Sequence, residues 1–265
     1  MTHSARLTSR GVIEIGGADA RELLQSLLTQ DLDQLAEGAA QYSALLTPQG
    51  KYLFDFIVIN QKDTILLECD YARLGDLIKR LTMYKLRADM TLQDVSDSHP
   101  VTAHWDGPAP EGAIPDPRDP RLGAKTYWNC ETNTDEAAWH THRIALTVPQ
   151  GPPDVEVDKT FWLECEAERL NGVAFQKGCF IGQEQTSRMK RRGTVKKGFV
   201  TLEGDAKEGA QLLANNKEIG RIGSTAPGLA LGFVRLEKLA AALAEGATFT
   251  TEDGAKVTVK EPKNG

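Results

Sequence analysis

At 265 residues, with 40% hydrophobic and 26% charged side chains, the chain has enough apolar material for one large domain or two to three small ones. A net charge of −6 argues against a surface given over to wrapping nucleic acid, so no direct DNA binding is expected. No run of about 18 apolar residues is present and the start MTHSARLTSRG lacks an apolar leader core, so neither a membrane span nor secretion is expected; the expected location is cytoplasmic.

Asp19 followed by Glu22 has the form of a capping box, and Leu23, Leu24, Leu27 and Leu28 recur at helical spacing, which predicts a helix from Asp19 to about Ala36, ended by Gly38. Two strand-like runs follow, QYSALL and KYLFDFIVIN, joined by Thr47-Pro48-Gln49-Gly50 as a hairpin. A third strand is read in TILLEC, a second helix on Leu74, Leu77, Ile78 and Leu81, and a closing strand in ADMTLQDV. That order is α+β, with helices on one face of an antiparallel sheet. Six of the twelve prolines lie between Pro100 and Pro120, so this stretch reads as an irregular excursion with neither helix nor central strand. Helical pattern returns in DEAAWHTHRIAL, breaks at PQGPP, and is read again in DKTFWLECEAERLNG. From Thr194 onward, short β runs with turns at Asn215-Asn216 and Asp253-Gly254 predict a small β-barrel, interrupted by a helical turn or two in LEKLAAALAE. The expected division is 1–96 and 97–192 as two α+β halves and 193–265 as the barrel.

Cys69, Cys130, Cys165 and Cys179 include no C-x-x-C pair, which removes the common zinc and cluster spacings, and no permanently bound metal is expected. His99, His104, His140 and His142 share no metal spacing with a carboxylate or cysteine. Cys179 differs from the other cysteines in its setting, Phe175-Gln-Lys-Gly-Cys-Phe-Ile-Gly-Gln-Glu184. Gly178 and Gly182 would let the backbone turn and leave the sulfur uncovered, and Lys177 would favour the thiolate. A helix starting in GQEQTSRMKR would push the same way through its dipole.

Between Glu184 and Glu203 the chain has no acid but carries Arg188, Lys190, Arg191, Arg192, Lys196 and Lys197. This is either a solvated face or an anion site. Strand alternation puts Asp55 with Leu53, Ile57 and Ile59, opposite Tyr52, Phe54, Phe56 and Val58. If both faces are buried, the carboxylate needs a partner, which a ligand could supply; on an edge strand it would simply reach water. Glu164 and Glu166 lie in one segment with Phe161, Trp162 and Leu163, which suits a stacked heterocycle or an amphipathic helix with its acids outward.

The segment KGCFIGQE, comprising Lys177, Gly178, Cys179, Gly182, Gln183 and Glu184 among its eight positions, closely resembles the motif of the YgfZ family of folate-binding proteins. NGVAF, ALLTPQGK and HRIALTVPQG agree with that family, and the resemblance covers nearly the whole chain. It implies two ferredoxin-like α+β halves in an aminomethyltransferase-type fold with a terminal β-barrel. It also implies a tetrahydrofolate ligand and support of iron–sulfur cluster assembly, maintenance or repair in client enzymes such as those of tRNA methylthiolation, with client proteins or assembly factors as partners. Carried over from the aminomethyltransferase pattern, Asp55 and Glu164 would face the pterin; Arg188, in the basic run, would suit the glutamate tail of the folate. Phe54-Asp55 replaces a pair of acids, and Cys165-Glu166 stands where Ala-Gly would be. These departures favour thiol-dependent work through Cys179 over one-carbon transfer, which is the first rival; an RNA-associated scaffold is the second.

Overall fold

The computed structural model describes residues 2–260. In chain order the first elements are β1 (His3–Arg6), β2 (Arg10–Gly16), α1 (Ala20–Leu27), β3 (Ala40–Leu46), β4 (Tyr52–Asn60), β5 (Ile65–Asp70), α2 (Leu74–Lys85) and β6 (Thr91–Asp94). Strands β2 to β6 form one antiparallel sheet in the order β3-β4-β5-β2-β6, the split ferredoxin-like arrangement with β3 added at an edge. Ala20, Leu24 and Leu27 of α1 and Leu74, Leu77 and Leu81 of α2 cover one face, where they meet Ile13, Ile15, Phe56, Val58 and Leu67. The other face, with Val12, Tyr42, Ile57 and Leu66, turns towards the second half. All nine residues of β4 are therefore buried.

The second half adds β7 (Thr102–Trp105), β8 (Ile114–Pro115), β9 (Ala124–Thr126), α3 (Glu136–Ala145) and a short turn α4 (Gly151–Asp154). Its sheet runs β1-β7-β9-β8. Strand β1 thus crosses to the second sheet, with His3 opposite Trp105 and Arg6 opposite Thr102, so residues 1–96 do not form one contiguous unit. The proline-rich excursion does hold a central strand, because β7 fits between Pro100 and Pro108 without requiring a proline N–H in its ladder.

Two helix expectations also shift. Helix α1 stops at Leu27 because Leu28 pairs with Leu45 and the Thr29 N–H binds the Ala44 carbonyl, drawing the chain onto β3. Asp19 makes no side-chain cap; its carboxylate accepts from the Asp89 N–H instead. The segment DKTFWLECEAERLNG forms only a 3-10 turn at Trp162–Cys165, broken by Glu166 in the left-handed region at φ 62°.

Helix α5 (Gln183–Arg192) leads to the barrel: β10 (Lys197–Glu203), β11 (Gln211–Ala214), β12 (Lys217–Ala226), β13 (Leu229–Arg235), α6 (Leu236–Ala244), β14 (Phe249–Thr251) and β15 (Lys256–Val259). Pairing of Leu202 with Val259 closes the order β10-β13-β12-β11-β14-β15. Asn215 and Asn216, both at positive φ, make the β11–β12 turn. The barrel is fastened to the second half by Asp154, whose carboxylate accepts from Arg143 Nη1 at 3.0 Å and from the Ser224 N–H at 2.6 Å.

Candidate functional site

The motif loop is built from anchors on both sides of Cys179. Lys177 is buried, and its ammonium donates to the carbonyls of Gln25 at 2.7 Å, Leu28 at 2.8 Å and Gln30 at 2.9 Å. It caps the end of α1, where orphan carbonyls need donors. Burial lowers its pKa to about 8 against the opposing pull of Asp31 and Asp33. The lysine expected to activate the thiol is therefore committed to holding the loop down. Phe180 enters the central core and Ile181 packs against the α1–α2 side.

Gly182, at φ 84°, lies on the hairpin turn of the first half: an added Cβ would stand 2.7 Å from the Thr47 carbonyl oxygen and 2.9 Å from Gly50 Cα. The segments ALLTPQGK and KGCFIGQE, far apart in sequence, are thus in backbone contact. Gln183 folds back to donate to the Gly178 carbonyl at 3.1 Å, closing the loop. Glu184 is exposed in the first turn of α5, where its charge suits the helix dipole. Cys179 is exposed at the crest, whereas Cys69 and Cys165 are buried and Cys130 is half-buried. Burial pushes the Cys69 thiol up to about 12 and holds that of Cys165 well above its ordinary value. Among the described residues no group of three or more His, Cys, Asp or Glu side chains is placed to hold a metal, so Cys179 offers a single soft ligand.

Asp55 is buried on β4, but its surroundings differ from simple alternation. The register slips between Leu45 and Leu46, which pair with Phe54 and Tyr52, so Leu53 is bulged and Tyr52 moves onto the Asp55 face. Tyr52 donates to Asp55 Oδ1 at 2.7 Å and Tyr42 to Oδ2 at 3.1 Å. Burial, then the Asp55 charge, raises the pKa of both phenols, which keeps them protonated as donors. Arg73 Nη1 approaches Tyr52 Oη at 3.3 Å, and Trp162 packs on both tyrosine rings at 5.6 and 6.2 Å. The partner required by a buried carboxylate is supplied from within the chain.

The charges of Asp55 and Glu164 both reach the buried Cys165 thiol. Burial raises the Glu164 pKa, opposed by the Lys197 charge and by the backbone N–H groups of Phe161, Lys196 and Lys197. Arg188 is exposed on α5. Among the described residues Asp55, Glu164 and Arg188 share no hydrogen-bond partner. A cavity of about 370 Å³ opens nearby, between α3, the strap Gln150–Pro153 and the β12–β13 turn, with Asp70 and His140 in its wall. Gly151 of that strap, at φ 48°, stands against the tyrosine pair: a Cβ there would be 3.5 Å from Tyr52 Oη and 3.8 Å from Asp55 Oδ1. Each Asp55 oxygen thus accepts from one phenol and keeps a further acceptor position, with the Gly151 strap lying beside the pair.

One feature escaped sequence reading. Glu68, fully buried, accepts from Arg10 Nε at 2.9 Å, Lys125 Nζ at 2.7 Å and Tyr127 Oη at 2.7 Å. Asp116 and Arg118 form a bidentate pair at 2.9 and 2.7 Å, and Arg118 lies 5.7 Å from the Tyr42 ring. A polar chain thus runs between the halves from Arg10 to Asp55. Its only sequence signal is a glutamate inside the apolar run TILLEC.

Two α+β halves and a six-stranded closing barrel, with a clamped thiol loop between them, make up an aminomethyltransferase-like fold. The family described as GCVT N-terminal domain matches residues 7–111, and that described as CAF17, C-terminal beta-barrel domain, matches residues 191–264; the chain carries both in that order. It is similar to the iron-sulfur cluster assembly factor IBA57, mitochondrial, of Mus musculus, at 32% identity over 75% of this chain and 66% of that protein. The Homo sapiens protein of the same description is 31% identical over 72% of this chain and 64% of its own length. The IBA57 homolog of Neurospora crassa is 30% identical over 72% of this chain and 51% of its own. The chain thus spans about half to two thirds of the length of these relatives. Among solved structures, the glycine cleavage system aminomethyltransferase T from Bartonella henselae superposes with a TM-score of 0.75 at 17% identity, covering 98% of this chain and 86% of that one, which is a likeness of fold.

Proposed function

We propose that the chain assists the assembly, maintenance or repair of iron–sulfur clusters in client proteins, with Cys179 as its working group. The observation that carries this reading is the exposure of Cys179 on a loop fixed by Lys177, Gly182 and Gln183, while Cys69 and Cys165 are sealed. The relatives named as iron-sulfur cluster assembly factors support it. In the proposed step the thiol gives its proton to solvent and the sulfur donates an electron pair to an iron of the cargo cluster, with no change in oxidation state. Release reverses that bond when a partner's ligand replaces it. One soft ligand suits transfer, since it adds affinity without creating a closed site. Enzymes of tRNA methylthiolation are the client class this proposal names.

No step is routed through folate: the tetrahydrofolate that the family resemblance implies would meet an Asp55 already paired with Tyr42 and Tyr52. One-carbon transfer is disfavoured because Phe54-Asp55 and Cys165-Glu166 depart from the transferase pattern. The test is complementation of cells lacking the chain: Cys179→Ser should fail while unfolding at the wild-type temperature. Growth equal to that of the wild type would end the proposal.

A further inference from the structure

Residues 185–202 contain six cations and no acid, in a chain whose total is −6, so the remainder stands at −12. On α5 the inward positions are Thr186 and Met189. Arg188, Arg191 and Arg192, spaced i, i+3 and i+4, point outward and are exposed, as is Lys196 beyond the helix. Lys190 is engaged with Glu168, but among the described residues Arg188, Arg191, Arg192 and Lys196 form no salt bridge. The basic stretch continues onto the barrel, where Lys197 lies directly opposite Arg235 across β10 and β13. Like charges in that position repel; Glu164 within the chain meets the Lys197 charge, while Arg235 forms no salt bridge among the described residues. A helix C-terminus favours cations in its last turn, which accounts for Arg191 and Arg192 but not for Arg188, Lys196 or Arg235.

We infer that this face is the docking surface for an acidic protein partner, which it holds beside Cys179. The inference rests on the proposed function and names the chemistry of its partner. Gln183, the first residue of α5, also closes the Cys179 loop, so thiol and basic face belong to one rigid piece. Arg188 lies about 8 Å further along the axis at 1.5 Å per residue. Guanidinium groups pair bidentately with carboxylates and steer association with an oppositely charged protein. The strongly negative remainder of the chain disfavours a long polyphosphate, whose charge cannot be confined to one short patch. Two partners of overall like sign would meet only through this face, which gives orientation as well as attraction.

The test uses a fluorescein-labelled decapeptide of alternating Glu and Asp, and a ten-nucleotide oligouridylate, titrated into the full chain at low and moderate salt. The decapeptide should bind saturably and weaken at least tenfold in R188Q/R191Q/R192Q, while K62Q/K217Q, exposed cations elsewhere, changes affinity by less than twofold. No binding, or equal binding by the triple variant, overturns the inference. Tighter, patch-dependent binding of oligouridylate overturns it in favour of a nucleic-acid surface. In cells, R188E/R191E/R192E should fail to complement while its Cys179 alkylates within twofold of the wild-type rate; full complementation also counts against the inference. Loss of the thiol reading is distinguishable, because a complementing Cys179→Ser would leave the peptide result standing.

Discussion

Gly182 lies on Gly50 with no room for a side chain between them: a Cβ on Gly182 would approach Gly50 Cα to 2.9 Å and the Thr47 carbonyl oxygen to 2.7 Å. Both neighbours are backbone, so neither can swing aside, and the φ of 84° is itself strained for an L side chain. Gly182→Ala should destabilise the fold by about 2–4 kcal/mol, combining overpacking with left-handed strain. Gly178 has nothing within 4 Å of its added Cβ, and Gly178→Ala should stay within about 0.5 kcal/mol of wild type. Urea unfolding of the two variants checks the contrast; equal midpoints would show that the loop does not rest on the hairpin.

The cysteines should separate by reactivity. Iodoacetamide at neutral pH, followed by peptide mass spectrometry, should label Cys179 first and Cys130 more slowly. Cys69, with its thiol pushed up to about 12, and Cys165, held well above its ordinary value by burial, should stay unlabelled until denaturant is added. Early labelling of Cys165 would place an opening beside Asp55 that the folded structure lacks.

The buried ionic chain predicts acid sensitivity. Burial alone would raise the Glu68 pKa, but the charges of Lys125 and Arg10 and the hydrogen bonds from Lys125 and Tyr127 bring it down to about 2. A folded pKa below the unfolded value of 4.5 means that the unfolded state binds more protons between those limits. The stability from Glu68 is therefore complete above pH 4.5 and is lost as pH falls towards about 2. Glu68→Gln should flatten that dependence and cost about 3–5 kcal/mol at neutral pH, since Arg10 and Lys125 would keep buried charge without their acceptor. Unfolding midpoints from pH 7 to 2 check it; a pH profile parallel to wild type would remove Glu68 from the account.

Local signals were legible in the sequence where one segment decides its own structure. The leucine spacing of α2, the Asn215-Asn216 turn and the short barrel strands all formed where patterning placed them. Cys179 stood out because two glycines and a lysine surround it. What remained hidden depends on contacts between distant segments. The bulge at Leu53, which carries Tyr52 onto the Asp55 face, is a property of the β3–β4 register and leaves no mark in composition. Lys177 could be seen beside the thiol but not reaching the carbonyls of α1, about 150 positions earlier, at Gln25 and Leu28. β1 joined the second sheet for the same kind of reason, as a four-residue strand has too little pattern to specify its partner.

The last prediction concerns whether Asp55 is a ligand group or a structural one. Tyr52 donates to it at 2.7 Å across the bulge, and hydrogen bonds to a charged acceptor are worth about 1.5–3 kcal/mol. Tyr52→Phe should therefore destabilise the fold by an amount in that range, and Tyr42→Phe, at 3.1 Å, by less. Because both phenols share one carboxylate, the double variant should depart from additivity. Asp55→Ala should be destabilised as well, since it strands two buried hydroxyls. If Asp55 is held by its tyrosines, titrating tetrahydrofolate calorimetrically into wild type and Asp55→Ala should give indistinguishable heats. A saturable heat in the wild type that vanishes in Asp55→Ala would show that the Gly151 strap and both phenols yield to a ligand, and would restore the pterin to this carboxylate.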